Sequence, residues 1–162
     1  MDILSHALWG ATIIRKKELL PLVIGGSLLP DLGCLPDVFV VLRSYYRDYK
    51  KGIKRSFGEL LTDWKEIPSR VSTFGVYYFF HSFFTWFMVT VVLFLIGRNY
   101  LVISLCYFFH LIIDIPTHRE ARPFFPFSNF RIKGIYFLDN KWVFLVNVVL
   151  LIMVNAIFVF FK

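Results

Sequence analysis

The chain has 162 residues, of which 57% are hydrophobic and 20% aromatic, and it carries a formal net charge of +7. Its mean hydropathy is +0.64. A soluble domain of this length cannot bury so much apolar surface, because small domains leave a large share of their chain at the boundary with water. The composition therefore predicts one membrane-embedded helical domain over residues 1–162. No stretch is typical of a nucleic-acid-binding module, so nucleic acid is not an expected partner despite the positive charge.

The chain begins with two short apolar runs, residues 3–14 and 19–30, which are separated by four charged residues, Arg15, Lys16, Lys17 and Glu18. Each run has the length of half a membrane crossing rather than of a full span. The basic residues follow the first run instead of preceding it, which does not fit a cleavable signal peptide. We expect the two runs to form a hairpin with its turn near Lys16, so that His6 and Asp31 fall at its open end.

A polar and basic loop over residues 32–71 comes next. Within it, Ser56 and Glu59 have the spacing of a capping box. Apolar residues then recur at helical spacing as far as Ile67, and Pro68 ends the run. We predict an amphipathic helix over residues 56–67 that lies at the membrane surface, either as a connector covering the bundle or as a lid over a site.

Three apolar stretches occupy most of the remaining chain. Residues 71–96 and 99–113 contain no Arg, Lys, Asp or Glu, and residues 142–161 have the length that crosses a bilayer as a helix. The short Gly97, Arg98 and Asn99 connection predicts that the first two stretches form an antiparallel hairpin. The predicted fold class is therefore all-α: a polytopic helical membrane protein with four to five membrane-associated helices plus one interfacial amphipathic helix.

The loops differ in charge. The segments 32–71 and 116–141 together hold 13 of the 18 basic residues. By the positive-inside rule this side faces the cytoplasm, which predicts a multi-pass protein of the inner (cytoplasmic) membrane with its basic loops inside. The same loops are expected to attract anionic lipid head groups, so membrane lipids are the expected partners. No pattern identifies a protein partner.

Ionisable groups within the apolar stretches point to a site, because an Asp inside a bilayer costs roughly 2.5–3.5 kcal/mol and persists only with a partner. His81 and Asp114 lie 17 and 16 residues from the turn at Arg98, at similar depth. His110 and Asp114 have i, i+4 spacing and share a helix face. If the open ends of both hairpins meet, five ligands converge near the cytoplasmic boundary: His6, Asp31, His81, His110 and Asp114.

Imidazole and carboxylate ligands together favour a divalent transition metal, most readily zinc, with manganese or iron as alternatives. Five ligands exceed the four that a structural zinc needs, which leaves room for an open position or a second ion. His118 follows Pro116, which disrupts the helix. From its position alone, His118 could be a further ligand, a proton-transfer group or a surface residue.

Several motifs occur in an order known from one family. They are MDILSHALWG at the N-terminus, GGSLLPDLG at 25–33, FHS at 80–82, HLIIDIPTH at 110–118 and FFPFSN at 124–129. This set resembles the YdjM-like membrane-bound metal-dependent hydrolases of bacteria and archaea. The resemblance covers residues 1 to about 130 and implies a helical membrane domain with a metal site formed by the five residues above. The ligand order is also loosely similar to that of zinc-dependent phospholipase C and P1 nuclease.

One element departs from the family pattern. Many members carry a His-Arg-Gly-x-Thr-His-Ser element, whereas residues 76–82 here read VYYFFHS. The first His and the Arg of that element are absent. Any metal or phosphate contact that those two residues make elsewhere in the family has no counterpart at this position.

The leading hypothesis is a membrane-bound hydrolase that uses metal-activated water on an ester or phosphoester, which could belong to a lipid head group at the cytoplasmic face. Asp31 or His118 would act as catalytic base or acid. A second hypothesis is a non-catalytic metal-binding membrane scaffold or a metal-ion transporter with the same ligands. A third is bis-histidine haem ligation by His81 and His110, which leaves Asp31 and Asp114 without a role.

Overall fold

The computed structural model describes residues 3–56, 58–59, 75–136 and 140–160. All regular elements in these ranges are helices, which confirms the all-α class. The α-helices are α1 Ile3–Ile13, α2 Leu20–Leu28, α3 Leu35–Lys50, α4 Val76–Phe80, α5 Phe83–Ile96, α6 Leu101–Thr117 and α7 Lys141–Phe160. In the described ranges, three short 3₁₀ helices lie between them, at Lys17–Leu19, Pro30–Cys34 and Arg98–Tyr100.

The helices include segments that are long and apolar enough to cross a membrane. Within the described ranges these are Arg98–Thr117 and Lys141–Phe160. A third span arises if Lys17–Cys34 and Val38–Lys50, which are bent by 54° relative to each other, count as one crossing. Two shorter apolar helices, α1 and α5, pack beside them. The predicted membrane character is confirmed, with the apolar surface distributed over full-length and shorter helices.

The N-terminal hairpin has the predicted form. Helices α1 and α2 are joined through the 3₁₀ turn Lys17–Leu19 and pack against each other, and α2 packs closely on α6. At that crossing, a Cβ atom built on Gly26 would lie 2.6 Å from the carbonyl oxygen of Ile103. Only a glycine allows the two backbones to approach this closely, so Gly26 determines how near α2 lies to α6.

The second hairpin also turns where predicted, at Arg98–Tyr100, but its first arm is not one helix. Helix α4 ends at Phe80, His81 follows, and α5 begins after an extended Ser82. The Ser82 side chain caps α5 by accepting a hydrogen bond from the Thr85 backbone N–H at 3.3 Å. The Phe83 backbone N–H donates to the carbonyl of Pro123 at 2.9 Å. The break therefore presents His81 at the end of a helix rather than in the middle of one.

The predicted loop at 32–71 contains a helix that the sequence pattern did not reveal, α3. It starts with Pro36 in its first turn and ends with Arg47 and Lys50 in its last turn. The predicted capping box is confirmed: the Ser56 backbone N–H donates to Glu59 and the Glu59 backbone N–H donates to the Ser56 hydroxyl, both at 3.2 Å. Most of the predicted helix 56–67 lies outside the described residues.

Helix α7 is attached to α1 through polar side chains, here called the polar seam: Ser5, Trp9, Thr12, Arg15, Asn147 and Asn155. The Asn147 side chain accepts from the Trp9 indole at 2.8 Å and donates to the Ser5 hydroxyl at 2.9 Å. About two helical turns further along α7, the Asn155 side chain donates to the Thr12 hydroxyl at 3.0 Å and accepts from Arg15 at 2.9 Å. These hydrogen bonds hold two apolar helices in register.

Candidate metal centre

The open ends of the two hairpins meet, as the sequence pattern predicts. On the opposite side, residues of both turns, such as Lys16 and Leu101, line one common cavity. The meeting point gathers five side chains from four parts of the chain: His6 from α1, Asp31 from the 3₁₀ helix Pro30–Cys34, His81 from the α4–α5 break, and His110 and Asp114 from α6. His6, His110 and Asp114 are almost fully buried, with 2%, 2% and 4% of their surface exposed.

Four of these residues form a compact group of ligand atoms. Asp31, His81, His110 and Asp114 each offer one atom, and the four atoms lie within 4.8 Å of one another. His110 Nε2 is 3.0 Å from Asp114 Oδ2. His81 Nε2 is 3.6 Å from Asp31 Oδ1 and 3.6 Å from Asp114 Oδ2. Ligand atoms bonded to one zinc ion at about 2.0–2.1 Å lie about 3.0–3.4 Å apart, so the group is wider than such a cage and would contract around a bound ion.

The nitrogen atoms in this group approach the carboxylates without forming hydrogen bonds. Among the described residues, Nε2 of His81 and Nε2 of His110 are buried and have no hydrogen-bond partner, and the same holds for Asp31 Oδ2. Leaving a buried polar atom unpaired costs about 1–3 kcal/mol. Atoms that converge at short distance without donor–acceptor alignment are the arrangement expected of ligands directed at a shared ion.

Backbone carbonyls determine which imidazole nitrogen of His81 and of His110 remains available to bind an ion. His110 Nδ1 lies 2.7 Å from the Ser27 carbonyl oxygen, and His81 Nδ1 lies 3.0 Å from the Tyr77 carbonyl oxygen. A carbonyl can only accept, so each Nδ1 carries the proton and each Nε2 offers its lone pair. This is the usual way in which proteins fix the tautomer of a metal-binding histidine. The donor set and its tautomers therefore fit a divalent transition metal.

The two oxygens of Asp114 face different histidines. Oδ2 faces His81 and His110 within the four-atom group, whereas Oδ1 lies 2.9 Å from His6 Nε2 and 3.3 Å from His118 Nδ1. His6 also stacks on His110, with their ring centroids 3.7 Å apart. His6 is thus brought to the site, but it lies against Asp114, outside the four-atom group. A role in orienting Asp114 accounts for this position as well as the predicted role as ligand does.

The two residues predicted to act as acid or base are also present. Asp31 contributes Oδ1 to the four-atom group, 3.8 Å from His110 Nε2. Helix α6 continues through Pro116 to Thr117, one residue beyond the predicted disruption, and His118 follows in an extended conformation. His118 nevertheless stays close to the cluster, because it remains beside Asp114. It also lines a small recess next to the cluster, here called the recess, whose other lining residues include Tyr78, His81 and Arg122.

The arrangement is unfavourable for haem. The ring centroids of His81 and His110 are 5.4 Å apart, and both Nε2 atoms face Asp114 Oδ2. A carboxylate therefore occupies the space between the two imidazoles that a macrocycle would need. The two Asp residues, which the haem hypothesis leaves without a role, are integral to the observed cluster.

Sequence reasoning did not identify several residues around the site. Tyr77 stacks on His81 with ring centroids 4.1 Å apart, and its i, i+4 spacing to His81 could have indicated this contact. Ser27 contributes its backbone carbonyl, which leaves no side-chain signature in a sequence. The cluster of Tyr78, Glu120 and Arg122 beside the recess joins residues about 40 positions apart. Its components are individually ordinary, so only the fold reveals it.

Comparison with known protein families identifies a family model that matches the chain. The family model described as YdjM inner membrane protein matches residues 1–161. The chain therefore belongs to the YdjM inner membrane protein family, which confirms the YdjM-like part of the resemblance inferred from its motifs. No curated protein and no solved structure matches the chain.

Proposed function

We propose that this member of the YdjM inner membrane protein family is a membrane-bound metal-dependent hydrolase that cleaves an ester or phosphoester. The observation that carries the proposal is the convergence of Asp31, His81, His110 and Asp114, with ligand atoms within 4.8 Å of one another. Zinc is the proposed metal, and manganese or iron would suit the same donors. When bound, the ion would supply Lewis-acid activation of water and of the ester oxygen.

The chain's own residues have distinct tasks in this proposal. Asp31, His81, His110 and Asp114 hold the ion, and His6 either joins them or orients Asp114 through Oδ1, from which it lies 2.9 Å. His118 is the proposed general base or acid, because its ring lines the recess beside His81 and Asp114. Asp31 is the alternative base through Oδ2, the oxygen that has no hydrogen-bond partner among the described residues.

The recess favours a hydrolase over a scaffold. A purely structural metal site is closed by protein ligands, whereas a catalytic site keeps one position open to substrate. Here, His81 and Asp114 belong both to the ligand group and to the lining of the recess. The recess offers about 20 Å³ of space, enough for one water molecule beside the ion, and a larger substrate would have to displace lining side chains. In keeping with the charge of the 32–71 and 116–141 segments, the recess is proposed to face the cytoplasm and its anionic lipid head groups.

Metal content is the direct test. Wild-type protein in mild detergent would be loaded with zinc, manganese or iron, desalted and measured by elemental analysis beside Asp114→Asn and His110→Gln. We expect near-stoichiometric metal in the wild type and a large loss in both variants. Asn147→Leu is the matched control, because Asn147 is also buried and polar but belongs to the polar seam. It should retain metal.

Full metal retention by both ligand variants, or no metal in the wild type, contradicts the proposal. Catalysis is tested separately with chromogenic carboxyl esters and phosphoesters, with and without a chelator. Chelator-sensitive turnover that is lost in His118→Ala while metal is retained supports the hydrolase. Metal flux across proteoliposomes without any turnover would instead favour the transporter.

A further inference from the structure

The recess beside the metal cluster contains one positively charged side chain in a defined position. Its lining includes His81, Asp114 and His118, which belong to or lie beside the cluster, together with Tyr78 and Arg122. Among the described residues that line it, Arg122 is the only Arg or Lys. A group bound at the cluster and reaching into the recess would therefore share it with Arg122.

Two contacts fix the orientation of Arg122. Its Nε donates to Glu120 Oε1 at 2.7 Å, and its guanidinium lies over the Tyr78 ring at 4.3 Å from the centroid. The Tyr78 hydroxyl donates to the same Glu120 oxygen at 3.3 Å. Only 18% of the Arg122 side chain is exposed. These contacts use the Nε and one face of the guanidinium, so they hold the group in place without using its two terminal nitrogens, the donors that bind a planar or tetrahedral oxyanion.

Charge remains after Glu120 is counted. Its other oxygen, Oε2, accepts from Arg131 at 3.3 Å, so one carboxylate is shared between two guanidinium groups. Burial alone would raise the pKa of Glu120, but the hydrogen bond and charge of Arg122 and the charge of Arg131 hold the pKa below its usual range. Glu120 is accordingly ionised at neutral pH and keeps Arg122 in place, while the three groups retain a net positive charge.

We propose that Arg122 anchors a phosphoryl group, so that the substrate class is a phosphoester rather than a carboxyl ester. This inference rests on the proposed function, since it assigns the substrate of the same site. A neutral carboxyl ester would gain little from a fixed guanidinium. A phosphoester carries negative charge on oxygens that an Arg side chain binds through paired, charge-assisted hydrogen bonds. Glu120 and Tyr78 are positioning residues for Arg122.

The phosphoryl group could belong to a lipid head group or to a soluble phosphate ester. Both present the same oxyanion to Arg122, and the recess lies beside apolar residues such as Phe83 and Leu111. Two substrates separate the sources: phosphatidate in mixed micelles and glycerol phosphate in solution. If the wild type hydrolyses one of these substrates and Arg122→Gln does not, the proposal is supported. The substrate that the wild type hydrolyses faster identifies the source of the phosphoryl group.

Binding is measured with inorganic phosphate as the probe. Zinc-loaded protein in detergent is titrated by calorimetry for the wild type, Arg122→Gln, Arg122→Lys and the control Arg131→Gln. Arg131 contacts the same Glu120 but does not line the recess. We expect Arg122→Gln to bind phosphate about 10- to 150-fold more weakly, as loss of a charge-assisted contact predicts. Arg122→Lys should show a smaller loss. Arg131→Gln removes the surplus positive charge but leaves Arg122 in the recess, so it should weaken phosphate binding less than Arg122→Gln does.

Metal content distinguishes this proposal from the one on which it rests. If Arg122→Gln retains metal and binds phosphate as well as the wild type does, the phosphoryl anchor is wrong and the hydrolase proposal stands. Equal turnover of a carboxyl ester by the wild type and Arg122→Gln, with no turnover of phosphoesters, overturns it too. If the wild type holds no metal, the hydrolase proposal fails. In that case, phosphate is titrated into the metal-free protein. Binding that is lost in Arg122→Gln would still support the anion site, and absence of such binding would overturn the proposal of a phosphoryl anchor.

Discussion

The protein contains two buried polar clusters that differ in how they satisfy their hydrogen bonds. In the polar seam, Asn147 has a partner on each side of its amide, and Asn155 does as well. In the metal cluster, Nε2 of His81 and of His110 have none among the described residues. Both clusters join helices in an apolar protein. The difference indicates that the seam is complete by itself, whereas the cluster leaves ligand atoms that could hold a metal ion.

A complete set of hydrogen bonds within each cluster matters because a protein in lipid cannot rely on water to satisfy its polar groups. Interhelical hydrogen bonds in membranes contribute about 0.6 kcal/mol on average, which is modest but favourable. A half-satisfied group of imidazoles and carboxylates is unfavourable unless something joins them. The following predictions test this contrast, beginning with the largest expected effect.

Metal removal should destabilise the wild type markedly. An ion present at 100 times its dissociation constant adds about 2.7 kcal/mol to the free energy of unfolding. For a chain of this length that corresponds to about 5–10 °C in Tm. The measurement is thermal unfolding in detergent before and after a chelator. Asp114→Asn should show no chelator effect, and an equal effect in that variant would contradict the assigned site.

His6→Gln should weaken metal binding without abolishing it. If His6 orients Asp114 from outside the four-atom group, its loss should lower affinity by about 10- to 100-fold, as for other residues that support metal ligands. His110→Gln, which removes a ligand from that group, should have a larger effect. Competition with a fluorescent chelator measures both. Equal losses in the two variants would instead make His6 a ligand.

Asn147→Leu should lower stability by about 1–2 kcal/mol, because it leaves the Trp9 indole N–H and the Ser5 hydroxyl without this partner in an apolar setting. Metal affinity should not change, since neither hydrogen-bond partner of the Asn147 side chain belongs to the four-atom group. Unfolding in denaturing detergent measures the change in stability, and metal titration measures the metal affinity. A drop in metal affinity would show that the two clusters are coupled.

Glu120→Gln should have the smallest effect on stability, below about 1 kcal/mol, because the ion pairs of Glu120 are partly exposed. The pKa of Glu120 is lowered in the folded protein by Arg122 and Arg131 despite burial. Its contribution is therefore complete above the unfolded value of 4.5 and is lost as pH falls through the lower folded value. The difference in Tm between wild type and Glu120→Gln should vanish on acidification. A difference that grows would contradict this assignment.

The clustered side chains are predictable from the sequence because charge and turn signals mark both hairpins. Arg15 to Glu18 interrupt one apolar run, and Gly97 with Arg98 interrupts another. Those turns bring the ends that carry His6, Asp31, His110 and Asp114 together. Buried ionisable residues in apolar segments are costly, so the same residues are conspicuous in the sequence itself.

Other features depend on contacts between distant residues. The α4–α5 break is stabilised by the Phe83 to Pro123 backbone hydrogen bond, which joins residues 40 positions apart. Helix α3 was missed because its many charges and Pro36 resemble a loop, although Pro is well accommodated in the first turn of a helix. The carbonyl of Ser27 that selects the His110 tautomer is a backbone group, and its role follows only from the packing of α2 on α6.

The close crossing at Gly26 has a consequence for ion selectivity. Ser27 and Asp31, which follow Gly26 in the chain, face His110 across that crossing. The distance between α2 and α6 beside the site is therefore set by Gly26, a residue that offers no ligand to an ion. A methyl group at position 26 would meet the Ile103 backbone at 2.6 Å and force the helices apart. We expect Gly26→Ala to shift preference from ions of small radius, such as zinc, toward larger ones, such as cadmium, and a competition experiment would measure that shift.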